Sequence, residues 1–223
     1  MDSRHSGVVR FTHWVNTLCF FALLVTGVEI IISHPRFYWG EEGNALMPSL
    51  FDIPIPASRS GVKTGYNYVL PDQNGWSRYL HFQTGWLMVF TGALYFIHGL
   101  VRRHFQRNLI PTGSVMESIR EHLRFQRPAE ADLRTYNTLQ RVSYLCVLFV
   151  LFPAMIWTGL AMSPGFTAAF PFLVDVVGGF QSARTIHFFV TTALVLFVVV
   201  HVVMVGVSGF KQRMRLMTLG GNE

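Results

Sequence analysis

Charge is scarce in this chain of 223 residues. Asp, Glu, Lys and Arg make up 13% of it, about half the share usual in soluble domains. A soluble globule this small exposes much of its surface and needs charge to cover it. The shortage excludes a cytosolic globule. A hydrophobic content of 51% excludes a disordered chain. Cysteine is as rare. Cys19 and Cys146 are the only two, each inside an apolar stretch. Two thiols cannot build an iron–sulfur cluster or a disulfide scaffold. The chain has no Cys-x-x-Cys-His for covalent haem attachment, no glycine-rich nucleotide loop and no flavin fingerprint. No substrate-level acid–base pair stands out, so no catalytic residue is assigned.

Apolar length is what the chain has in quantity. Phe occurs 20 times and the mean hydropathy is +0.36. Four long apolar stretches predict an all-α integral membrane protein, a four-helix bundle with helices at about 11–32, 79–101, 139–162 and 184–210. Each is long enough to cross ~30 Å of hydrocarbon. One domain is expected over 1–223. The first stretch is read as a retained helix rather than a signal peptide, since no small-x-small cleavage site follows Ser33-His34-Pro35. Pro153 predicts a kink in the third helix.

The connections differ in character. Residues 34–77 form a long loop with Pro35, Pro48, Pro54, Pro56 and Pro71 and recurring aromatic residues. Loops of this length usually serve a function, here either a cap over a buried site or a docking surface for a partner. The loop 102–138 is strongly basic, and Val115–Phe125 within it fits a short amphipathic surface helix. Of 18 Lys and Arg, 13 fall in the N-terminus, this loop with the adjacent Arg141, and the tail. The positive-inside rule then places both termini in the cytoplasm and the loop 34–77 outside. That distribution, and the lack of any nucleic-acid-binding motif, explains the net charge of +6 by the membrane and excludes nucleic acid as a partner.

Five of the nine histidines fall at or within the helices: His13, His81, His98, His187 and His201. An imidazole in hydrocarbon is costly without a partner, so each is a candidate. His187 and His201 are 14 residues apart on one helix. At ~100° and ~1.5 Å per residue they share a face, ~21 Å apart along the axis. Such a helix offers two imidazoles at two depths, the placement two stacked haems require. By depth, His13 pairs with His201 and His81 with His187. Arg-x-x-His recurs at three helix starts: Arg10–His13, Arg78–His81 and Arg184–His187. An arginine there lies on the ligand's face, one turn nearer water, where it can pair a haem propionate or merely anchor the helix at the interface. Arg141–Tyr144 repeats the spacing without a histidine, which marks the third helix as non-ligating. Gly27 and Gly85 sit where a macrocycle could approach the backbone, or where helices pack closely. His98 is level with His201 and remains an alternative inner ligand or part of a quinone site. Glu29, the lone acid of the first helix, could relay protons or reach headgroups.

Phe-Thr-His13-Trp, Arg-Tyr-Leu-His81-Phe-Gln-Thr-Gly85 and the His187/His201 pair resemble the bacterial di-haem b-type cytochromes. These are membrane subunits of formate dehydrogenase, nickel–iron hydrogenase and thiosulfate reductase. Trp157-Thr-Gly-Leu-Ala-Met-Ser163 and Phe37-Tyr-Trp-Gly40 look closest to the thiosulfate-reductase-type branch. The resemblance implies two non-covalent haems b in the bacterial inner membrane. The inner iron would lie on His13 and His201, the outer on His81 and His187. Electrons would pass between a membrane quinone and an oxidoreductase subunit, of molybdopterin type, docked at the surface. Two other classes compete: a proton-coupled transporter using its histidines, and a haem-free anchor for an enzyme. Neither requires histidines matched by depth.

Overall fold

The computed structural model describes residues 6–44, 46–54, 73–102, 105 and 138–220. Most of the chain is helical. The first long helix, α1 (Gly7–Ser33), starts well before residue 11. Ser6 explains the early start. Its hydroxyl accepts the Val9 amide at 3.3 Å, an N-cap that satisfies a first-turn donor. The loop then forms a short antiparallel pair, β1 (Arg36–Phe37) and β2 (Phe51–Asp52), with Phe37 opposite Phe51. Helix α2 covers Gln73–Val101.

The third long helix is compound. It consists of α3 (Thr138–Cys146), a π-helical segment (Val147–Leu151) and α4 (Phe152–Ala161). Pro153 accounts for the middle part. It has no N–H for the carbonyl four residues back, and its ring crowds that carbonyl. The backbone widens there, and the Phe152 amide reaches back to Val147. The kink expected at the proline therefore takes the form of a π turn directly before it.

Two short helices, α5 (Pro164–Ala169) and α6 (Phe172–Asp175), lead to α7 (Phe180–Val207) and, past Gly209 at φ +98°, to α8 (Phe210–Thr218). Helix α7 begins at Phe180 rather than near Arg184 because the loop caps it. Glu41 accepts the Phe180 amide at 2.9 Å. The Gly40 carbonyl accepts the amides of Gln181 at 2.9 Å and Ser182 at 3.2 Å. Arg103, the bulk of the basic loop with its Val115–Phe125 segment, loop residues 55–72, and His5, His104 and His122 lie outside the described residues.

Among the described residues, four helices are long and apolar enough to cross a membrane: Gly7–Ser33, Gly75–Val101, Gln140–Ala161 and Phe180–Val207. Their exposed residues include Leu18, Val25, Phe90, Leu196 and Val200, an outward apolar face that lipid would cover. The buried polar residues among those described are small: Thr12, Thr26, Ser77, Thr91, Thr158, Ser182 and Thr185. Small polar residues inside and large apolar ones outside is the arrangement of helices packed in lipid. The chain divides into two compact units. One comprises Met1–His13, Ala93–Met155 and Phe189–Glu223; the other comprises Trp14–Gly92 and Ile156–Phe188.

Candidate functional site: two facing histidine pairs

The unit containing Trp14–Gly92 holds His81 of α2 and His187 of α7. Their ring centroids are 6.4 Å apart with planes inclined at 59°. A threonine hydroxyl stands against each ring. Thr26 Oγ1 is 2.9 Å from His81 Nδ1, and Thr158 Oγ1 is 2.9 Å from His187 Nδ1. Each ring is thus engaged at Nδ1. Gly27 adjoins the same ring: a Cβ there would lie 3.5 Å from His81 Cε1. A Cβ at Gly85 would meet no atom within 4 Å.

The loop fixes the start of α7, about two turns before His187. Phe37 is almost fully buried, stacked on Phe51 at 4.6 Å and packed on Phe188 at 4.6 Å. Thr185 donates to the Tyr38 carbonyl at 2.7 Å, and the Gly40 amide donates to Ser182 Oγ at 2.8 Å. Arg184 donates to the carbonyls of Arg36 and His34, and its guanidinium lies 4.7 Å over the Phe37 ring. Arg78 of the same pattern is exposed. The first part of the long loop thus forms a bracket on α7.

The other unit holds His13 of α1 and His201 of α7. Their centroids are also 6.4 Å apart, with planes at 61°. Aromatic rings wall this pair. Phe197 stacks on His201 at 5.9 Å and 22°, and Tyr144 meets His201 edge-on at 6.3 Å. Tyr144 is thus placed against a candidate ligand by the helix read as non-ligating. Arg10 directs Nη1 toward the Thr218 carbonyl at 3.4 Å, while its buried Nε has no hydrogen-bond partner among the described residues. His98 Nε2 is 2.9 Å from Ser6 Oγ, so the structure brings His98 to the cap of α1.

These pairs fit haem. Two imidazoles on opposite sides of one iron, each nitrogen about 2 Å away and each ring centre about 1.2 Å behind it, stand about 6.4 Å apart. Among the described residues no three of His, Cys, Asp and Glu gather as a metal cluster would need. Two axial donors suffice only where a macrocycle supplies the rest. A buried, unpaired Arg10 Nε suits a propionate carboxylate. Thr26 and Thr158 were not identifiable as site residues from periodicity. The Thr-Gly dipeptide they share, at 26–27 and 158–159, also occurs at 64–65, 84–85, 91–92 and 112–113 and so does not single them out.

Long apolar helices bearing facing imidazoles define a membrane cytochrome b. The chain belongs to the prokaryotic cytochrome b561 family, whose family model matches residues 4–220. It is therefore a multi-pass bacterial membrane protein that binds haem b and transfers electrons. A relative is the "Putative protein-methionine-sulfoxide reductase subunit YedZ1" of Azospira oryzae. It is 26% identical over 208 residues, covering 90% of this chain and 89% of that protein. No solved structure matches.

Proposed function

We propose that the chain is the di-haem electron-transfer subunit of an oxidoreductase complex in the bacterial inner membrane, with both termini in the cytoplasm. His13 and His201 hold one haem b, and His81 and His187 hold the other. Each histidine presents one neutral imidazole nitrogen, and Thr26 and Thr158 orient the second pair. When bound, a bis-imidazole haem supplies reversible one-electron transfer. The protein's own part is to bind, orient and shield. Arg10 offers a buried guanidinium nitrogen to a propionate. Phe197 and Tyr144 keep water from His201. Arg184 binds loop carbonyls, so its service to the outer haem is to hold the bracket on α7.

A membrane quinone is the exchangeable substrate, and an oxidoreductase subunit, of molybdopterin type, docks at the surface. The name of the Azospira oryzae relative, a subunit of a reductase, supports a partner of that general kind. The single observation that carries the reading is the recurrence of one 6.4 Å imidazole pair in each unit. Haem quantitation on purified protein tests it. Wild type should carry two haems, and His81→Ala and His201→Ala one each. Unchanged haem in both variants overturns the ligand assignment.

A further inference from the structure

Both Nδ1 atoms of the outer pair meet a threonine hydroxyl at 2.9 Å, from two different helices, α1 and α4. Both threonines are buried, with Thr26 at 4% and Thr158 at 2% exposure. The Thr26 contact also has a readable direction. Its hydroxyl lies 2.8 Å from the Ala22 carbonyl and 3.2 Å from the Leu23 carbonyl, both of which can only accept, so its one proton goes to that pair. The oxygen is left as an acceptor, and the proton in its bond to His81 belongs to Nδ1. That fixes the tautomer. Nε2 carries the bare lone pair, the form an iron requires.

We propose that Thr26 and Thr158 are positioning residues of the outer pair. Each accepts the Nδ1–H of its histidine, locks ring and tautomer, and tunes the iron held by Nε2. This rests on the assignment of His81 and His187 as ligands. Accepting the Nδ1 proton makes an imidazole a stronger donor, which favours the oxidised iron and lowers its potential. The relay from His81 through Thr26 to the Ala22 carbonyl strengthens that effect, because bonds in a chain polarise one another. The glycines beside the rings do not share the role. A Cβ at Gly27 or Gly159 would make ordinary contact, 3.5 Å and 3.7 Å from the ring carbons, so alanine fits there.

The test is a spectroscopic redox titration of purified Thr26→Val, Thr158→Val, Thr26→Ser and Thr158→Ser proteins, with haem content measured alongside. In each valine variant one of two redox components should rise by about 59 mV, a tenfold loss of preference for the oxidised state in a one-electron couple. The other component should stay in place, and serine should restore the wild-type value. Loss of the outer haem in the valine variants with recovery in serine also supports the proposal. Loss in both valine and serine variants overturns it, since volume and not the hydroxyl would then matter. Unshifted potentials with both haems retained overturn it too, and the ligand reading survives if His81→Ala still loses one haem. If His81→Ala keeps both haems, the ligand reading itself fails.

Discussion

The two histidine pairs share one geometry and are built differently. Both stand 6.4 Å apart, with planes near 60°. The pair at His81 and His187 is held through polar contacts: threonine hydroxyls on Nδ1, and a loop whose carbonyls and side chains cap the helix that carries His187. The pair at His13 and His201 is walled by rings, with Phe197 stacked and Tyr144 edge-on. Hydrogen bonds fix orientation and protonation. Ring packing fixes position and excludes water. The same axial spacing can therefore be reached by two routes with different sensitivities, and substitutions should separate them.

The largest separation is expected from Gly179→Ala. Gly179 sits at φ +112°, and a Cβ there would run into the backbone of Gly40 and Glu41. The Gly40 carbonyl accepts the amides of Gln181 and Ser182, the second and third residues of α7. The substitution should cost about 3 kcal/mol, the upper end for forced left-handed backbone, and should loosen the bracket. Thermal loss of haem, followed separately for the two redox components, should start at a lower temperature for the outer one. Simultaneous loss of both would show that the bracket does not serve the outer pair in particular.

Much of this was legible in the sequence. The four spans follow from uninterrupted apolar length, which few other structures permit. The pairings follow from the 14-residue interval and from helix depth, both set by fixed helix geometry. Tyr144 in an Arg-x-x-Tyr frame marked its helix as non-ligating, and the structure adds that its ring touches His201. Less legible was anything that depends on how helices are rotated against one another. A mid-helix threonine ordinarily bonds its own backbone, so Thr26 and Thr158 carried no distinguishing mark. Arg184 stands in the same Arg-x-x-His frame as Arg10. One binds loop carbonyls and the other keeps a buried nitrogen without a partner among the described residues. Spacing cannot make that distinction, because the loop that claims Arg184 returns from more than a hundred residues away in the chain.

An intermediate effect is expected at Phe197. It is half-buried and stacks on His201 at 5.9 Å, while Tyr144 packs on it at 6.1 Å. Phe197→Ala should destabilise by about 2 kcal/mol, roughly half the cost of truncating a fully buried Phe. The inner haem should be lost first, reversing the order expected for Gly179→Ala. Wild-type behaviour of the inner component would remove the aromatic wall from the account of that pair.

The smallest effect concerns His98, the other imidazole on offer to the inner iron. Its Nε2 is 2.9 Å from Ser6 Oγ, which also accepts the Val9 amide at the start of α1. If that is its work, Ser6→Ala should cost about 1 kcal/mol, the usual value of an N-cap. His98→Ala should cost less, since it leaves the cap's bond to Val9 in place. The double variant should cost less than both single changes added, because the two residues share a contact. Haem content should remain at two in all three proteins. Loss of one haem in His98→Ala, with both retained in His13→Ala, would exchange the two residues as inner ligand. The comparison between the pairs would then rest on the outer one alone, because the ring contacts described for His13 would no longer be contacts of an axial ligand.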